Sequence, residues 1–246
     1  MRRTRRLPLE ELAPYLWGEA GDFRLETGET GPNAARTNES AEVSSTAPPA
    51  CSLQPPAFPI IWADVFNNSN PVEMEVGCGK GLFILNAAQA CPGVNFFGIE
   101  IVRKYQLYTA TRVAIRKLAN VRMACADAKA ILRDRVPPQS VQAIHVYYPD
   151  PWWKTRHHKR RVFTPEFVES CAKALQAGGK FHLATDVEEY FAVMRELCRQ
   201  RTDLRELPPP QIATGRHDMD YLTNFERKAR QKGQPVFRAV FEKIAC

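Results

Sequence analysis

The chain has 246 residues, 44% of them hydrophobic and 25% charged, which is ordinary for a globular protein and enough to bury a sizeable core. It contains no run near the roughly 18 apolar residues that cross a bilayer, and no apolar run follows its basic N-terminus as in a secretory signal. The seven cysteines include no C-x-x-C pair, which favours reduced thiols in the cytoplasm over a disulfide framework or a zinc cluster.

Charge and composition divide the chain into three parts. The net charge of +7 favours a polyanionic partner such as nucleic acid. Residues 1–17, with four arginines among the first six positions, are predicted to be a basic N-terminal arm. Residues 18–59 are rich in Gly, Ser, Thr and Pro, which predicts a flexible linker or insertion. Residues 60–246 are expected to form the catalytic domain.

Short apolar runs alternate with helix-like segments from residue 71 onward. The predicted strands are 72–76, 94–100, 121–127, 141–150, 180–186 and 235–244. The predicted helices are 82–90, 102–119, 165–175 and 187–201. This alternation predicts parallel βαβ units in an open, doubly wound, Rossmann-like α/β sheet.

Four acidic residues lie at or near the ends of predicted strands. Ligands of doubly wound sheets bind outside the carboxyl ends of the strands, so all four are expected on the ligand edge. Glu100 comes 25 residues after the first of them, a position from which a carboxylate can accept both hydroxyl protons of a ribose. Asp127 can accept a hydrogen bond from an adenine amino group. The four acidic residues are Glu75, Glu100, Asp127 and Asp150.

A glycine turn, residues 77–81, follows the first predicted strand. Gly77 and Gly79 lack a Cβ, which lets the backbone approach a ligand closely. The spacing is G-x-G-x-G, not the G-x-G-x-x-G that holds a dinucleotide pyrophosphate. A carboxylate at Glu75 would repel a pyrophosphate and suit the positive charge of S-adenosylmethionine. NAD remains the competing cofactor, because an acidic residue downstream of the glycines also serves a dinucleotide.

A loop rich in aromatic and basic residues follows the fourth predicted strand. Residues 147–153 read YYPDPWW, and the two prolines that flank Asp150 stiffen the turn around it. Flat apolar side chains beside a carboxylate suit a nucleobase that must be stacked and hydrogen-bonded. Residues 154–161, KTRHHKRR, carry five permanent cations, as phosphate binding requires.

Several separated motifs resemble the tRNA (guanine-N7-)-methyltransferase family. They are MEVGCGKG, FFGIEI, CADA, YYPDPWWKTRHHKRR, FHLATD and TNFERKARQKGQPVF, between residues 72 and 243. The resemblance implies the class I methyltransferase fold, with a mostly parallel seven-stranded sheet and helices on both faces. It also implies methyl transfer from S-adenosylmethionine, which leaves as S-adenosylhomocysteine, to N7 of guanine 46 in the variable loop of tRNA.

The resemblance also assigns roles to individual positions. It implies S-adenosylmethionine binding at the four acidic residues and the glycine turn, with Asp150 as the catalytic position. Trp153 and Asn224 depart from the family pattern, where histidine and lysine are common. Substrate contacts are implied at Lys154, Asp186, Thr223, Asn224, Phe225 and Glu226. RNA contacts are implied at Arg156, His157, His158, Lys159, Arg160 and Arg161.

Three other interpretations remain open on the sequence. Asp186 and Glu226 are alternatively an N-cap for the following helix and a surface charge. The protein is alternatively a class I methyltransferase for a small molecule or a protein, or an RNA-binding relative without catalysis. No metal is expected, because His145, His157 and His158 form no ligand set with nearby acids or cysteines. A monomer and a homodimer are both compatible with the sequence.

Overall fold

A computed structural model describes residues 6–18, 59–208 and 223–245. Its strands are β1 (Leu16–Trp17), β2 (Val72–Val76), β3 (Asn95–Glu100), β4 (Val121–Cys125), β5 (Val141–Tyr147), β6 (Leu175–Thr185), β7 (Leu204–Glu206) and β8 (Phe237–Lys243). Its α-helices are α1 (Leu9–Leu12), α2 (Trp62–Phe66), α3 (Leu82–Ala90), α4 (Arg103–Ile115), α5 (Ala128–Asp134), α6 (Pro165–Ala174), α7 (Glu188–Arg199) and α8 (Asn224–Gln231).

The strands form one sheet in the order β1-β4-β3-β2-β5-β6-β8-β7. All pairs from β1 to β6 are parallel, and β8 runs antiparallel to both β6 and β7. The chain winds outward from β2 in one direction through β3 and β4, then returns to start again at β5. The order therefore reverses between β2 and β5, which is the point where a doubly wound sheet opens a crevice for a ligand.

Each face of the sheet is covered by its own set of helices. On one face, α1, α3 and α4 bury Leu12, Ile84 and Leu107 against strand residues that include Met123. On the other face, α5, α6 and α7 pack in a larger cluster around Phe167. Alternate strand residues supply the two cores because successive side chains point to opposite faces. The predicted doubly wound, mostly parallel sheet with helices on both faces is confirmed.

The structure corrects the predicted strand number from seven to eight. The additional strand is β1, which pairs in parallel with β4 at the edge of the sheet. Before it, Leu12 is fully buried against the core of the α3 and α4 face. Part of the segment predicted as a separate basic arm, 1–17, thus belongs to the folded domain. The spacing of Leu9, Leu12 and Leu16 is the sequence signal that this segment is folded, because a few apolar side chains suffice to cover an open sheet edge.

Several boundaries differ from the prediction. Helix α6 ends at Ala174, one residue before its predicted end, and β6 begins directly at Leu175 rather than at residue 180. The register between β5 and β6 shifts near Val141, so the glycines lie within an irregular strand start. Helix α5 and strand β7 were not predicted. Residues 19–58 of the predicted linker lie outside the described residues, and no helix in the described ranges is long and apolar enough to cross a membrane.

Candidate active site

The glycine turn follows β2 at the point where the strand order reverses. Gly77 and Gly79 adopt φ values of 77° and 52°, which L-residues with a Cβ rarely tolerate. The Gly77 amide donates to the carbonyl of Ile99 over 2.8 Å, and the Gly79 amide donates to Glu100 Oε2 over 2.8 Å. No atom lies within 4 Å of the position that a Cβ on Gly77 would occupy. The turn is therefore pinned to β3 while its backbone faces open space.

A cleft of about 290 Å³ opens above this turn. The ends of β2 and β5 form its floor, the start of α3 and α4 form one wall, and α8 forms the other. The cleft is lined by Glu75, Gly77, Cys78, Gly79, Lys80, Leu82, Phe83, Tyr105, Tyr147, Tyr148, Thr223, Phe225 and Lys228.

Glu75 is the carboxyl group at the floor of the cleft. Its side chain is buried, and its Oε2 finds no hydrogen-bond donor among the described residues. Burial, together with the negative charge of Glu100, raises the pKa of Glu75 to about 8. A buried carboxyl oxygen without a partner is costly. A cationic or hydrogen-bond-donating ligand in the cleft would remove that cost.

Glu100 connects the cleft to the exposed Asp150. Its two carboxylate oxygens accept from the amides of Gly79 and Val102, over 2.8 and 2.9 Å. Burial raises the pKa of Glu100, and the negative charge of Asp150 adds to that rise. The two backbone amides oppose the shift, because they favour the ionised form. Glu100 and Asp150 thus lie close enough to interact, as the strand-end argument predicts.

Two stacked aromatic rings form the wall on the α8 side. Tyr148 lies at the end of β5 with φ 53°, and its amide donates to the carbonyl of Ala184 over 2.7 Å. Its ring stacks on Phe225, with centroids 5.9 Å apart and planes 19° from parallel. The Phe225 side chain is 60% exposed. The wall therefore presents an accessible aromatic surface to the cleft.

Helix α8 is fixed in place by a buried ion pair. The side chain of Thr223 caps the helix by accepting from the amide of Glu226 over 3.1 Å. The carboxylate of Glu226 pairs with Arg238 on β8 and with Arg230 one turn later. Glu226 is 1% exposed. The alternative that Glu226 is a surface charge is therefore wrong.

The basic loop that follows β5 includes a 3₁₀ helix, Thr155–Arg160. Arg160 lies over the ring of Trp152 at 5.0 Å. Arg161 differs from its neighbours, because its Nε donates to the carbonyl of Pro151 and its guanidinium covers the ring of Tyr190. Arg161 therefore stabilises the loop itself. The exposed cations of the loop are Lys154, Arg156, Lys159 and Arg160.

Comparison with known proteins identifies the family. A family model described as "Putative methyltransferase" matches residues 69–239. Over 185 residues the chain is 40% identical to a tRNA (guanine-N(7)-)-methyltransferase of Rhodopirellula baltica, a match that covers 73% of this chain and 68% of that protein. The chain belongs to the tRNA (guanine-N(7)-)-methyltransferase family. A second member, from Aliivibrio salmonicida, is 35% identical over 184 residues and covers 75% and 77% of the two chains.

Solved structures agree with this family at the level of the fold. The aminoglycoside resistance methyltransferase NpmB1 superposes with a TM-score of 0.51 at 16% identity, covering 73% of this chain and 90% of that one. A 30S ribosomal A1408 methyltransferase from an uncultured bacterium gives a TM-score of 0.50 at 13% identity, covering 74% and 92%. Family and fold together confirm the resemblance and the class I methyltransferase fold predicted from the motifs.

The cleft brings together only part of the predicted site. Asp127 lies outside its lining and caps α5, where its Oδ1 accepts from the amide of Lys129 over 2.9 Å. Asp186 is exposed near Tyr148 and is not the cap of α7, whose N-cap residue is Val187. Lys154 is also exposed outside the lining. The side chain of Asn224, which begins α8, lies outside what the structure describes.

Several residues that line the cleft were not predicted from the sequence. Tyr105 is 40% exposed on the first turn of α4. Tyr147 is tied to the strands beneath, because its hydroxyl lies 2.9 Å from His145 Nδ1 and His145 Nε2 lies 2.8 Å from Glu73 Oε2. Lys228 follows Phe225 at helical spacing, and that spacing is the signal that places both on one side of α8.

The described residues hold no group suited to a metal ion. Within the ranges 6–18, 59–208 and 223–245, no three His, Cys, Asp or Glu side chains are arranged as ligands. The five cysteines in these ranges form no disulfide with one another. The chemistry that the cleft supports thus rests on carboxylates, aromatic rings, backbone amides and cations.

Proposed function

We propose that this chain methylates N7 of a guanine in tRNA, with S-adenosylmethionine as donor. The observation that carries the proposal is the buried carboxyl of Glu75, whose Oε2 has no partner among the described residues, beneath a glycine turn in a cleft bordered by exposed cations. Membership of the tRNA (guanine-N(7)-)-methyltransferase family supports the substrate. Guanine 46 of the variable loop is the proposed target, as the sequence resemblance implies.

The residues of the cleft fit a cationic nucleoside ligand. Glu75 would hold the ammonium group of the donor's amino acid end, and Gly77 and Gly79 would admit that end against the backbone. Glu100 is held by two amides at the end of β3, where it would accept from ribose hydroxyls. Asp127 keeps one carboxylate oxygen beyond its capping bond, and we assign it to the adenine. Bound S-adenosylmethionine supplies an electrophilic methyl group on its sulfonium.

The chemistry at the guanine requires placement more than proton transfer. Guanine N7 carries an in-plane lone pair and no proton, so the protein does not need a base at that atom. Bringing N7 into line with the methyl group supplies a large share of the acceleration. The stacked rings of Tyr148 and Phe225 provide a flat surface against which the base can rest.

Asp150 is the proposed catalytic residue. It lies outside the lining of the cleft, on a turn flanked by two prolines and two residues after Tyr148, and its charge acts on Glu100. It either holds the donor or accepts protons from the Watson–Crick edge of the guanine. In both roles it places a fixed negative charge beside a purine that becomes cationic as N7 is methylated. Asp186, near Tyr148, is a second acceptor for that edge.

The exposed cations of the basic loop are the proposed contacts for tRNA phosphates. The side chains of Lys154, Arg156, Lys159 and Arg160 reach solvent beside the site, and the two histidines of the loop lie among them. Arg161 contributes by fixing the loop through Pro151 and Tyr190. A polyanion bound here would be positioned by its backbone while one base enters the cleft.

The test is methyl transfer to defined RNA. The protein is incubated with labelled S-adenosylmethionine and an unmodified tRNA transcript, and the modified nucleoside is identified after nuclease digestion. We expect 7-methylguanosine at position 46 and no transfer to a matched transcript with adenine at that position. Methylation of another base, or of protein or small molecules alone, would refute the proposal. Binding of tRNA without transfer would favour the non-catalytic alternative.

A further inference from the structure

Helix α4 and its C-terminal extension carry a concentration of positive charge that the proposed site does not use. Residues 101–120 contain five cations and no acidic residue. The first turn of α4 begins Arg103-Lys104 and has no acidic side chain. Cations near a helix N-terminus oppose the helix dipole, which favours negative charge at that end. The first turn of α4 is therefore unfavourable on local grounds, whereas Arg112 in its last turn agrees with the dipole.

The cations of α4 also lie close to one another without compensation. Arg112 and Arg116 are one turn apart, an arrangement of like charges that destabilises an isolated helix. Burial and the neighbouring charge of Arg116 lower the pKa of Arg112. In the described parts of the chain, Lys104, Arg112, Arg116 and Lys117 have no acidic side chain within ion-pair distance.

These cations and two tyrosines share one exposed side of the helix, which we call the α4 face. Arg112 lies over the ring of Tyr108 at 5.9 Å, and Tyr105 reaches the lining of the cleft. Lys104 and Arg116 are exposed. The face extends for roughly 18 Å from Lys104 to Arg116 at 1.5 Å per residue. It consists of Lys104, Tyr105, Tyr108, Arg112 and Arg116.

The α4 face is joined to the glycine turn. The guanidinium of Arg112 donates to the carbonyl of Lys80, and the hydroxyl of Thr109 donates to the carbonyl of Gly79 over 3.0 Å. Lys80 is itself exposed at the cleft. The face thus continues the wall of the cleft that α4 forms, whereas α8 forms the other wall. Positive charge borders the cleft on two sides.

We propose that the α4 face is a second phosphate-binding surface, which contacts the tRNA in addition to the basic loop. This inference rests on the proposed function, because it takes tRNA as the substrate. A folded RNA is far larger than a 290 Å³ cleft, so its backbone must be held beyond the target base. Lys104 and Arg116 are exposed without an acidic partner among the described residues, and the exposed Tyr105 and half-buried Tyr108 lie between them, which matches the phosphates and bases of such a ligand.

The alternative occupant of this face is an acidic protein surface, including one on a second copy of the chain. The described residues favour RNA for two reasons. The face is continuous with the cleft that would take the base, and its aromatic members begin at the cleft lip with Tyr105. An acidic protein partner would have no reason to depend on the cleft.

The test is the salt dependence of tRNA binding by a double variant, Lys104→Gln with Arg116→Gln. Neither residue lines the cleft, so binding of S-adenosylmethionine and transfer at saturating tRNA should be unchanged. Loss of two phosphate contacts should weaken tRNA binding about tenfold near physiological salt. It should also reduce the slope of log affinity against log salt by about 1.5.

The matched control is Arg133→Gln with Lys173→Gln. It removes the same two charges from exposed positions on α5 and α6, which pack on the other face of the sheet. We expect the control to keep the parent affinity and slope. An unchanged slope in the α4 variant, or an equal loss in the control, would overturn the inference. So would a change in oligomeric state without a change in tRNA affinity.

These outcomes are separate from a failure of the proposed function. The parent protein is assayed first for transfer to the transcript. If the parent transfers no methyl group to tRNA, the proposed function fails. If the parent is active and the α4 variant keeps the full salt dependence of tRNA binding, the inference about the α4 face fails and the proposed function stands.

Discussion

Helices α4 and α7 have 13 and 12 residues and lie on opposite faces of the same sheet, yet they treat charge in opposite ways. Helix α7 has Glu188 and Glu189 in its first turn and Arg199 in its last, in agreement with the helix dipole. Its arginines at 195 and 199 both pair with Glu206 on β7. Helix α4 begins with the cations Arg103 and Lys104. Among the described residues, Lys104, Arg112, Arg116 and Lys117, on α4 and just after it, form no ion pair.

The contrast extends beyond the two helices. Next to α7, Arg201 and Lys243 hydrogen-bond to Asp203, and these bonds, Arg201 first, lower the pKa of Asp203 to about 2. Near the cleft, Asp150 and the exposed cations of the basic loop have no ion pair within the described ranges. Paired charges thus belong to the part of the molecule that holds the sheet together. Unpaired charges surround the part that would bind a polyanion, so removing them should impair activity rather than stability.

The largest expected effect is that of Asp150→Ala. Asp150 is exposed and unpaired, so the variant should keep the parent melting temperature. Methyl transfer should fall roughly 100- to 1000-fold, as when a preorganised electrostatic group is removed from an active site. The measurement is the initial rate of labelled transfer to tRNA. Asp64→Ala, an exposed acid on α2, is the control that should retain the parent rate, and a fully active Asp150 variant would remove it from the catalytic role.

Glu226→Gln separates two roles for a buried acid. The resemblance implies a substrate contact, whereas the geometry shows an ion pair with Arg238 and Arg230. Breaking a buried pair leaves an uncompensated charge and costs about 3–5 kcal/mol. We expect that loss in urea denaturation, with Glu169→Gln on α6 unchanged as the control. An unaltered stability with a raised KM for tRNA would instead support the substrate contact.

The raised pKa of Glu75 predicts a pH-dependent affinity for the donor. Below a pKa of about 8 the carboxyl of the free protein is protonated, and a cationic ligand must displace that proton. Affinity for S-adenosylmethionine should therefore fall as the pH is lowered from 8 to 6, by up to about tenfold per unit. Calorimetric titration in two buffers should detect proton release. Glu75→Gln should bind more weakly and without this slope, and a parent affinity that is flat with pH would contradict the assignment.

The smallest expected effect is that of Glu206→Gln on the paired side. Arg195 and Arg199 are 40% and 48% exposed, and pairs of that kind contribute about 0–1 kcal/mol each. We expect a small decrease in the free energy of unfolding and no change in tRNA affinity or its salt slope. A change in tRNA binding comparable to that of the α4 double variant would break the division between paired and unpaired charges.

The sequence predicts most of the sheet because the strand signals are local. The runs at 72–76 and 82–90 match β2 and α3 without error, since apolar content and the glycine turn mark both ends. Strand β7 has three residues and β1 has two, too few to show a period. Helix α5 begins at a cap, Asp127, that the sequence reading used as a ligand. The carboxylate of Asp127 can both cap the helix and bind a ligand, and only the structure reveals the capping role.

The site is predicted less completely than the fold because it is built from segments distant in sequence. Strand-end position correctly associates Glu100 with the glycine turn and with Asp150. It cannot show that Glu226 turns toward Arg238, or that Arg161 packs on Tyr190. The reason is that the same residue type occurs in a buried ion pair and as a charge exposed to solvent. Tyr105 was not predicted, because a tyrosine in a helix belongs to the core more often than to the wall of a cleft.

Strand β1 has a consequence for where the protein can be shortened. Leu16 and Trp17 pair with β4, and the backbone groups of β4 that they bond would otherwise form an open edge of the sheet. An uncovered parallel edge is a template for strands of other molecules. A fragment that starts at Ile60 would keep every residue assigned to catalysis and still be prone to aggregate. Residues 6–17 thus protect this edge of the sheet, and their removal would lower the solubility of the protein before it lowered the turnover rate.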